Sequence, residues 1–190
     1  MSFFLYLASA SPRRAQLLEQ LGIKYEIFPQ DIDESINDGE DVTSFVSRLA
    51  REKAEQGKQN IKRDSDYPVL GADTIVTFDN HILGKPENTE QAINMLKLLS
   101  GQTHQVITAI QLCNKKHSYS AINKSEVVFR KITEQEINGY CQTGEPLDKA
   151  GSYAIQGLAA KFIANINGSY SGIMGLPLYE TSQLIERFKY

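Results

Sequence analysis

The stretch Phe3-Phe4-Leu5-Tyr6-Leu7-Ala8-Ser9-Ala10-Ser11-Pro12-Arg13-Arg14 joins an apolar run to an apolar helical stripe carried by Leu17, Leu18 and Leu21. It reads as strand, turn, helix. Ser11 suits the N-cap and Pro12 the first helical position, where a missing N–H costs nothing; Gly22 then ends the helix. A helix N-terminus presents unpaired amide donors and the positive end of a dipole. Two hydroxyls, Ser9 and Ser11, and two guanidinium groups, Arg13 and Arg14, stand at the same place. The visitor that fits is a phosphate, whose oxygens a planar guanidinium binds two at a time. Spacing alone also allows the plainer reading of arginines on a solvated first turn.

The rest of the chain alternates helices and strands early and hairpins late. Tyr25 to Phe28 reads as a short strand running into the acidic loop Asp31-Ile32-Asp33-Glu34. Phe45, Val46, Leu49, Ala50 and Ala54 recur at helical spacing, with Asp41 or Thr43 as cap and Lys53 four residues beyond Leu49; the helix frays into the polar segment Gln56 to Asp66. Val69 to Phe78 is a strand, Asp79-Asn80 a turn pair and Ile82-Leu83 the return, closed by Gly84-Lys85-Pro86. A helix from Thr89 to Ser100-Gly101 follows. Gln105 to Cys113 and a run around Ser125 to Phe129 form an antiparallel pair about the turn Asn114 to Lys116. Thr133-Glu134-Gln135-Glu136 is a capping box opening a helix through Tyr140. Gly144 to Gly151 reads as loop, Tyr153 to Ile155 and Phe162 to Ile166 as strands, Gly168 to Gly175 as a glycine-rich loop, and Leu178 to Phe188 as a terminal helix. The expected class is α/β, a central mixed β-sheet with flanking helices.

Bulk properties narrow the function. With 190 residues, 41% of them hydrophobic, the chain suffices for one domain with a sizeable core. A net charge of -3 with scattered basic residues points away from nucleic acid and membrane surfaces. Phe3 to Ala8 has no basic leader and is too short to span a bilayer, so it reads as the first buried strand. Cys113 and Cys141 form no C-x-x-C pair, and neither they nor His81, His104 and His117 have metal-ligand spacing. A reduced, cytoplasmic setting is expected.

Asp73 stands out because Gly71-Ala72-Asp73-Thr74 places a carboxylate inside a hydrophobic strand, where a charge needs a partner, a metal or a catalytic task. A strand-end aspartate paired with a lysine is the plainer alternative. Asp33 and Glu34 add loop carboxylates whose value depends on meeting Asp73. Lys53 and Lys85 are candidate phosphate ligands, although each alone reads equally as a surface charge. The dense cluster Glu145-Pro146-Leu147-Asp148-Lys149-Ala150-Gly151 is either a third basic element or an internally paired loop. Gln156, read as following a strand directly, could answer the imide edge of uracil or thymine with its carboxamide oxygen and NH2 group together; it could equally satisfy nearby backbone.

Taken in order, these blocks resemble the Maf family of nucleoside triphosphate pyrophosphatases, related in fold to the inosine triphosphate pyrophosphatases. The carriers are Ser9-Ala10-Ser11-Pro12-Arg13-Arg14, Ala50-Arg51-Glu52-Lys53-Ala54, Gly71-Ala72-Asp73-Thr74, Gly84-Lys85-Pro86, Ser100-Gly101, Asp148-Lys149-Ala150-Gly151-Ser152-Tyr153, Ile155-Gln156-Gly157 and Gly175-Leu176-Pro177-Leu178. The resemblance runs nearly end to end. It implies a single bilobed domain over residues 1–190, two lobes with a cleft between them, and a homodimer. Arg13, Thr74 and Gln156 resemble the arm acting on dTTP and UTP rather than the arm acting on methylated guanosine triphosphate.

What this resemblance implies chemically is hydrolysis of a nucleotide to the monophosphate and pyrophosphate, aided by Mg2+ or by Mn2+ or Co2+. Asp73 and Glu34 would hold the metal and Asp73 accept the attacking water's proton, while Ser9, Arg13, Arg14, Lys53 and Lys85 neutralise the triphosphate. Clearance of modified nucleotides and a link to cell-division arrest also follow from the resemblance. The alternatives are a related enzyme with another nucleotide preference and a non-catalytic, nucleotide-binding regulator of septum formation.

Overall fold

The computed structural model describes residues 3–61 and 66–189. Its strands are β1 (Phe4–Leu7), β2 (Lys24–Ile27), β3 (Val69–Phe78), β4 (His81–Leu83), β5 (Thr103–Cys113), β6 (Ser118–Phe129) and β7 (Ile163–Asn167). The helices are α1 (Pro12–Gln20), α2 (Val42–Asn60), α3 (Thr89–Leu99), α4 (Glu134–Cys141), α5 (Tyr170–Met174) and α6 (Leu178–Lys189). The strand order is β2-β1-β3-β5-β6-β7, with β4 on β3. Pairing is parallel for β1 with β2 and with β3, and antiparallel for β3 with β4 and β6 with β7. The sheet is therefore mixed, as the alternation of elements implies.

The chain divides into two compact units. The first comprises Met1–Asp73, Thr108–Asn123 and Gly175–Tyr190; the second comprises Thr74–Ile107 and Lys124–Met174. In the first, Tyr6, Ala8 and Val69 form a buried cluster flanked by Phe4, Phe28 and Ile61. Here α2 lies unusually close to β3, because a Cβ built on Gly71 would stand 2.1 Å from the Ala50 carbonyl oxygen and one on Gly57 would stand 2.8 Å from Val69 Cγ1. At Gly71 the strand meets the helix backbone directly, and at Gly57 the Val69 side chain fills the gap.

The core of the second unit gathers α3, α4 and the ends of β5 and β6 around Leu96, Leu99, Val127, Phe129, Tyr153 and Phe162. Phe129 meets Tyr153 and Phe162 edge to face, with centroids 4.9 and 6.5 Å apart, an arrangement that aligns ring edges with ring faces. His104 is buried beside these rings. Its Nε2 shares a 2.8 Å hydrogen bond with the Tyr153 hydroxyl, and its Nδ1 has no partner among the described residues. Burial pushes the imidazole down to about 4, from an ordinary 6.5. The unfolded chain therefore takes up a proton as pH falls through 6.5, whereas the native state resists until about 4. Stability is lost across that window. The full loss is about 3 kcal/mol, about 2 of which should appear by pH 5. Urea midpoints at pH 7.5 and pH 5 should show this acid loss for the natural chain and a correspondingly smaller one for His104→Phe. Equal losses would assign the acid sensitivity to other groups.

Several elements depart from the reading of the sequence. α2 does not fray at Gln56 but continues to Asn60, because Gly57 packs on Val69 and keeps the last turn against the sheet. Residues 62–65 of that polar segment lie outside the described residues. β6 begins at Ser118 rather than near Ser125, its first seven residues alternating exposed and half-buried positions; polar residues on the solvent face hide a strand from a hydrophobicity reading. Tyr153 to Ile155 is not a strand but buried irregular chain, Gly144 to Gly151 holds the 3-10 turns Glu145–Asp148 and Ala150–Ser152 in part, and the Gly168 to Gly175 loop contains α5. The predicted capping box is present, with the Thr133 hydroxyl accepting from Glu136 N–H and the Glu136 carboxylate accepting from Thr133 N–H. Asp41 rather than Thr43 caps α2, accepting from the amides of Thr43 and Ser44. Asp79 and Asn80 both take positive φ, at 49° and 64°, which makes the β3 to β4 connection a tight hairpin turn.

Candidate active site

Two parallel strands of the first unit, β1 and β2, end side by side where β3 begins its run. Leu7 of β1 is in register with Ile27 of β2 and with Leu70 of β3, so the segments that follow them emerge side by side. β1 runs into the turn carrying Ser9, Arg13 and Arg14; β2 runs into the loop carrying Glu34; β3 itself continues to Asp73. The carboxyl edge of parallel strands is where open α/β sheets place their ligands.

At the first segment, Ser11 occupies the N-cap of α1, but its hydroxyl does not cap the helix. This corrects one expectation. Ser9 takes over the local task, its Oγ accepting from Ser11 N–H at 3.2 Å and from Arg14 Nη1 at 3.0 Å. Pro12 opens the helix and its first turn carries no acidic residue, so no carboxylate of that turn answers the positive end of the helix dipole. Arg14 also donates from Nε to the Gly175 carbonyl oxygen at 2.8 Å, across 161 residues of sequence. Gly175 has a φ of 115°, a conformation that only glycine adopts without strain. Burial lowers the Arg14 guanidinium from its ordinary value, opposed by the charge of Asp73; neighbouring Arg13 lowers it further and Glu34 raises it. Arg14 therefore feels the charges of Asp73, Arg13 and Glu34, with Arg13 half-buried on the same turn.

The second and third segments meet on Lys53. Its ammonium is 2.8 Å from Asp73 Oδ1 and 2.6 Å from Glu34 Oε1. Ser9, Lys53 and Asp73 are 8, 8 and 9% exposed, so the Lys53–Asp73 pair is desolvated, while Glu34 reaches it from an exposed loop. A buried ammonium is costly unless carboxylates answer it, and α2 can deliver Lys53 only because Gly71 lets it touch β3. The glutamate loop is tied down separately. Arg48 donates from Nε and Nη2 to Glu40 at 2.8 and 2.9 Å and from Nη2 to the Ser35 carbonyl at 2.7 Å, while Gln56 Nε2 reaches the Asp31 carbonyl at 3.0 Å. Neither Arg48 nor Glu40 stands in a motif that marks it for this role. Only the spacing of Arg48 and Glu52, four apart on a helix, was visible in advance.

Ser9, Arg13, Arg14, Glu34, Lys53 and Asp73 all belong to the first unit; direct contacts join Arg14 to Ser9, and Lys53 to Glu34 and Asp73. Asp33, by contrast, is turned to its own loop, its Oδ1 accepting from Ser35 N–H at 2.9 Å. Lys85, Thr74 and Gln156 belong to the second unit. Thr74 is half-buried on β3 and Lys85 is exposed beyond β4. The Gly84 carbonyl beside Lys85 accepts from Gly151 N–H at 3.1 Å. Gln156 is exposed and lies in a turn, not at a strand end; buried irregular chain precedes it and the 3-10 turn Leu158–Phe162 follows. In the charge cluster, Lys149 pairs with Asp148, which is the internally paired alternative for those two residues.

Residues 4–188 match the model of a family described as Maf-like protein. The chain is 50% identical over 184 residues to a dTTP/UTP pyrophosphatase of Pseudoalteromonas atlantica, covering 96% of each chain. It is 49% identical over 184 residues to a dTTP/UTP pyrophosphatase of Escherichia coli O157:H7, covering 97% of this chain and 92% of that one. Among solved structures, the Staphylococcus aureus Ham1 protein aligns over 66% of this chain and 71% of its own with a TM-score of 0.47 and 11% identity.

Proposed function

The chain belongs to the Maf-like protein family, and on that premise we propose that it hydrolyses dTTP and UTP between the α- and β-phosphates, releasing the monophosphate and pyrophosphate. The observation that carries this reading is the pairing of Asp73 and Glu34 on the Lys53 ammonium, within electrostatic reach of Arg14 at the uncapped start of α1. Relatives about half identical over nearly the whole chain bear the name dTTP/UTP pyrophosphatase, which supports the choice of nucleotide. Arg13, Arg14, Ser9 and the α1 amides take the phosphates, with Lys85 as a further cation. Thr74 and Gln156 serve the base, the Gln156 carboxamide matching the imide edge of uracil or thymine.

In the first unit, Arg13, Arg14 and Lys53 against Asp73 and Glu34 leave a net charge far short of that on a triphosphate. A divalent cation fits that deficit. Asp73 and Glu34 already converge on one positive centre, and no group of three or more His, Cys, Asp or Glu side chains suited to a metal occurs among the described residues. Two carboxylates, completed by substrate oxygens and water, are the donor set Mg2+ favours. Such an ion supplies charge neutralisation at the transferring phosphorus when bound. In the chain itself, Asp73 orients the attacking water and receives its proton, Lys53 holds Asp73 in place, and Arg14 stabilises charge developing on phosphate oxygens. No helix among the described residues is long and apolar enough to cross a membrane, in keeping with a soluble nucleotide as substrate.

A nucleotide panel tests the reading. With Mg2+ present, UTP and dTTP should be consumed with kcat/KM at least about tenfold above CTP, GTP and methylated guanosine triphosphate, the scale on which a paired hydrogen-bond edge discriminates. Pyrophosphate and the monophosphate should appear in equal amounts. Intact UTP would favour a nucleotide-binding regulator, and faster purine turnover a different substrate.

A further inference from the structure

Glu145 is the one member of the 145–151 charge cluster that neither pairs within the cluster nor enters the chemistry above. Its carboxylate faces the Gln156-Gly157 turn instead. Oε2 accepts from Leu158 N–H at 3.1 Å, and Oε1 accepts from the Tyr140 hydroxyl at 2.9 Å. Gly157 is pressed onto the same carboxylate. A Cβ built there would lie 2.3 Å from Oε1, 2.6 Å from Cδ and 2.7 Å from Oε2. Gly157 has an ordinary extended backbone, with φ of -101°, so conformational freedom does not explain the glycine. Room for Glu145 does.

Both ends of this bridge are themselves held. Glu145 N–H donates to Thr143 Oγ1 at 3.2 Å, and that hydroxyl donates to the Tyr140 carbonyl at 2.7 Å, closing a loop on the end of α4. On the other side, Gly157 N–H bonds the Ala154 carbonyl and Ala160 N–H the Gly157 carbonyl, both at 3.1 Å. The Tyr140 ring packs edge-on against Phe162, with centroids 5.5 Å apart, and burial together with the Glu145 contact holds its phenol protonated. Gln156 itself is exposed, and these anchors lie on the residues that follow it.

We infer that Glu145, braced by Tyr140, is a positioning residue for nucleobase selection: it locks the Gly157-Leu158 backbone and thereby sets the direction in which Gln156 presents its carboxamide. A carboxamide matches an imide edge only when its plane and its O-to-N direction are both set, so a loosened turn costs discrimination before it costs chemistry. This inference rests on Gln156 reading the base.

The test compares Glu145→Ala, Glu145→Gln, Tyr140→Phe and Gln156→Ala on UTP and CTP. Glu145→Ala should raise KM for UTP about tenfold and lower the UTP to CTP ratio of kcat/KM by a similar factor, with kcat within about twofold. Glu145→Gln should restore the ratio, because its amide oxygen accepts from Leu158 N–H while its NH2 donates to the Tyr140 oxygen. Tyr140→Phe should show an intermediate loss, and it keeps the question answerable if Glu145→Ala does not fold. Amide exchange at Leu158 should quicken in Glu145→Ala. If Gln156→Ala reduces the ratio and neither Glu145→Ala nor Tyr140→Phe does, the positioning role is wrong and the base-reading role stands. If Gln156→Ala leaves the ratio unchanged, the base-reading role fails and this inference with it.

Discussion

Replacing Asp73 with asparagine lowers kcat for UTP by a factor on the order of 10^3, the scale of losing a positioned general base, while nucleotide binding changes only a fewfold. The substitution is isosteric, and its side-chain oxygen can still accept from Lys53. Lys53 also retains Glu34 at 2.6 Å, so the buried ammonium is not abandoned and the fold survives. Ser9, Arg14 and the first turn of α1 are untouched, which preserves the phosphate contacts. Pyrophosphate release and equilibrium binding of UTP, measured on the same preparation with circular dichroism as a folding control, separate these effects. A Mg2+ titration then divides the two roles of Asp73: partial rescue at high Mg2+ marks a metal ligand, and an unchanged deficit marks a base. Near-normal hydrolysis by Asp73→Asn would remove the carboxylate from the mechanism altogether.

Gly71→Ala should be the most damaging substitution of a residue that touches no substrate. The added methyl would meet the Ala50 carbonyl oxygen at 2.1 Å and the Ala54 amide at 2.7 Å. Both are backbone atoms of α2, so no rotamer change relieves the clash and the helix must move away from β3. Overpacking of this kind costs about 1–3 kcal/mol, or roughly 2 to 12 °C in Tm for a chain of this size. The functional cost should be larger than the stability cost. Lys53 adjoins Ala54, and displacing α2 lengthens its contacts to Asp73 and Glu34 together. Turnover of UTP should therefore fall at least about tenfold at temperatures where Gly71→Ala remains folded, since a displacement of about 1 Å at a catalytic group has effects of this order or greater. Thermal melts paired with turnover at 15 °C check both halves. A natural Tm with natural turnover would show that the helix has slack the geometry does not display.

How much of this could be read in advance differs sharply between residues. Pro12, Gly22 and the Thr133 capping box are signals contained within a few neighbouring residues, and each marks an element boundary where it was expected. Asp73 announced itself because a carboxylate inside an apolar strand must be answered by something. Glu34 and Lys53 carried no such mark, since acidic loops and helical lysines usually face water. Gln156 reads as following a strand but lies in a turn. Tyr153 to Ile155 has β-forming residues, yet buried side chains around His104 and Phe129 hold it as irregular chain. Ser11 shows the opposite failure: a sound local preference for capping is not used, because the amide of Ser11 and the guanidinium of Arg14 both turn to the hydroxyl of Ser9.

Local order along the chain thus settles the strand, turn and helix that open the fold, the tight turns, the caps, and which side chains have chemistry to offer. Each of these depends on steric and hydrogen-bonding preferences spanning a handful of residues. Which groups meet is a matter of packing. Lys53 finds Asp73 across 20 residues and Arg14 finds the Gly175 carbonyl across 161, and no local preference encodes such separations. The parallel register of β1, β2 and β3 and the bare backbone at Gly71 bring the charges to one edge, because only the folded chain makes the distance between them short.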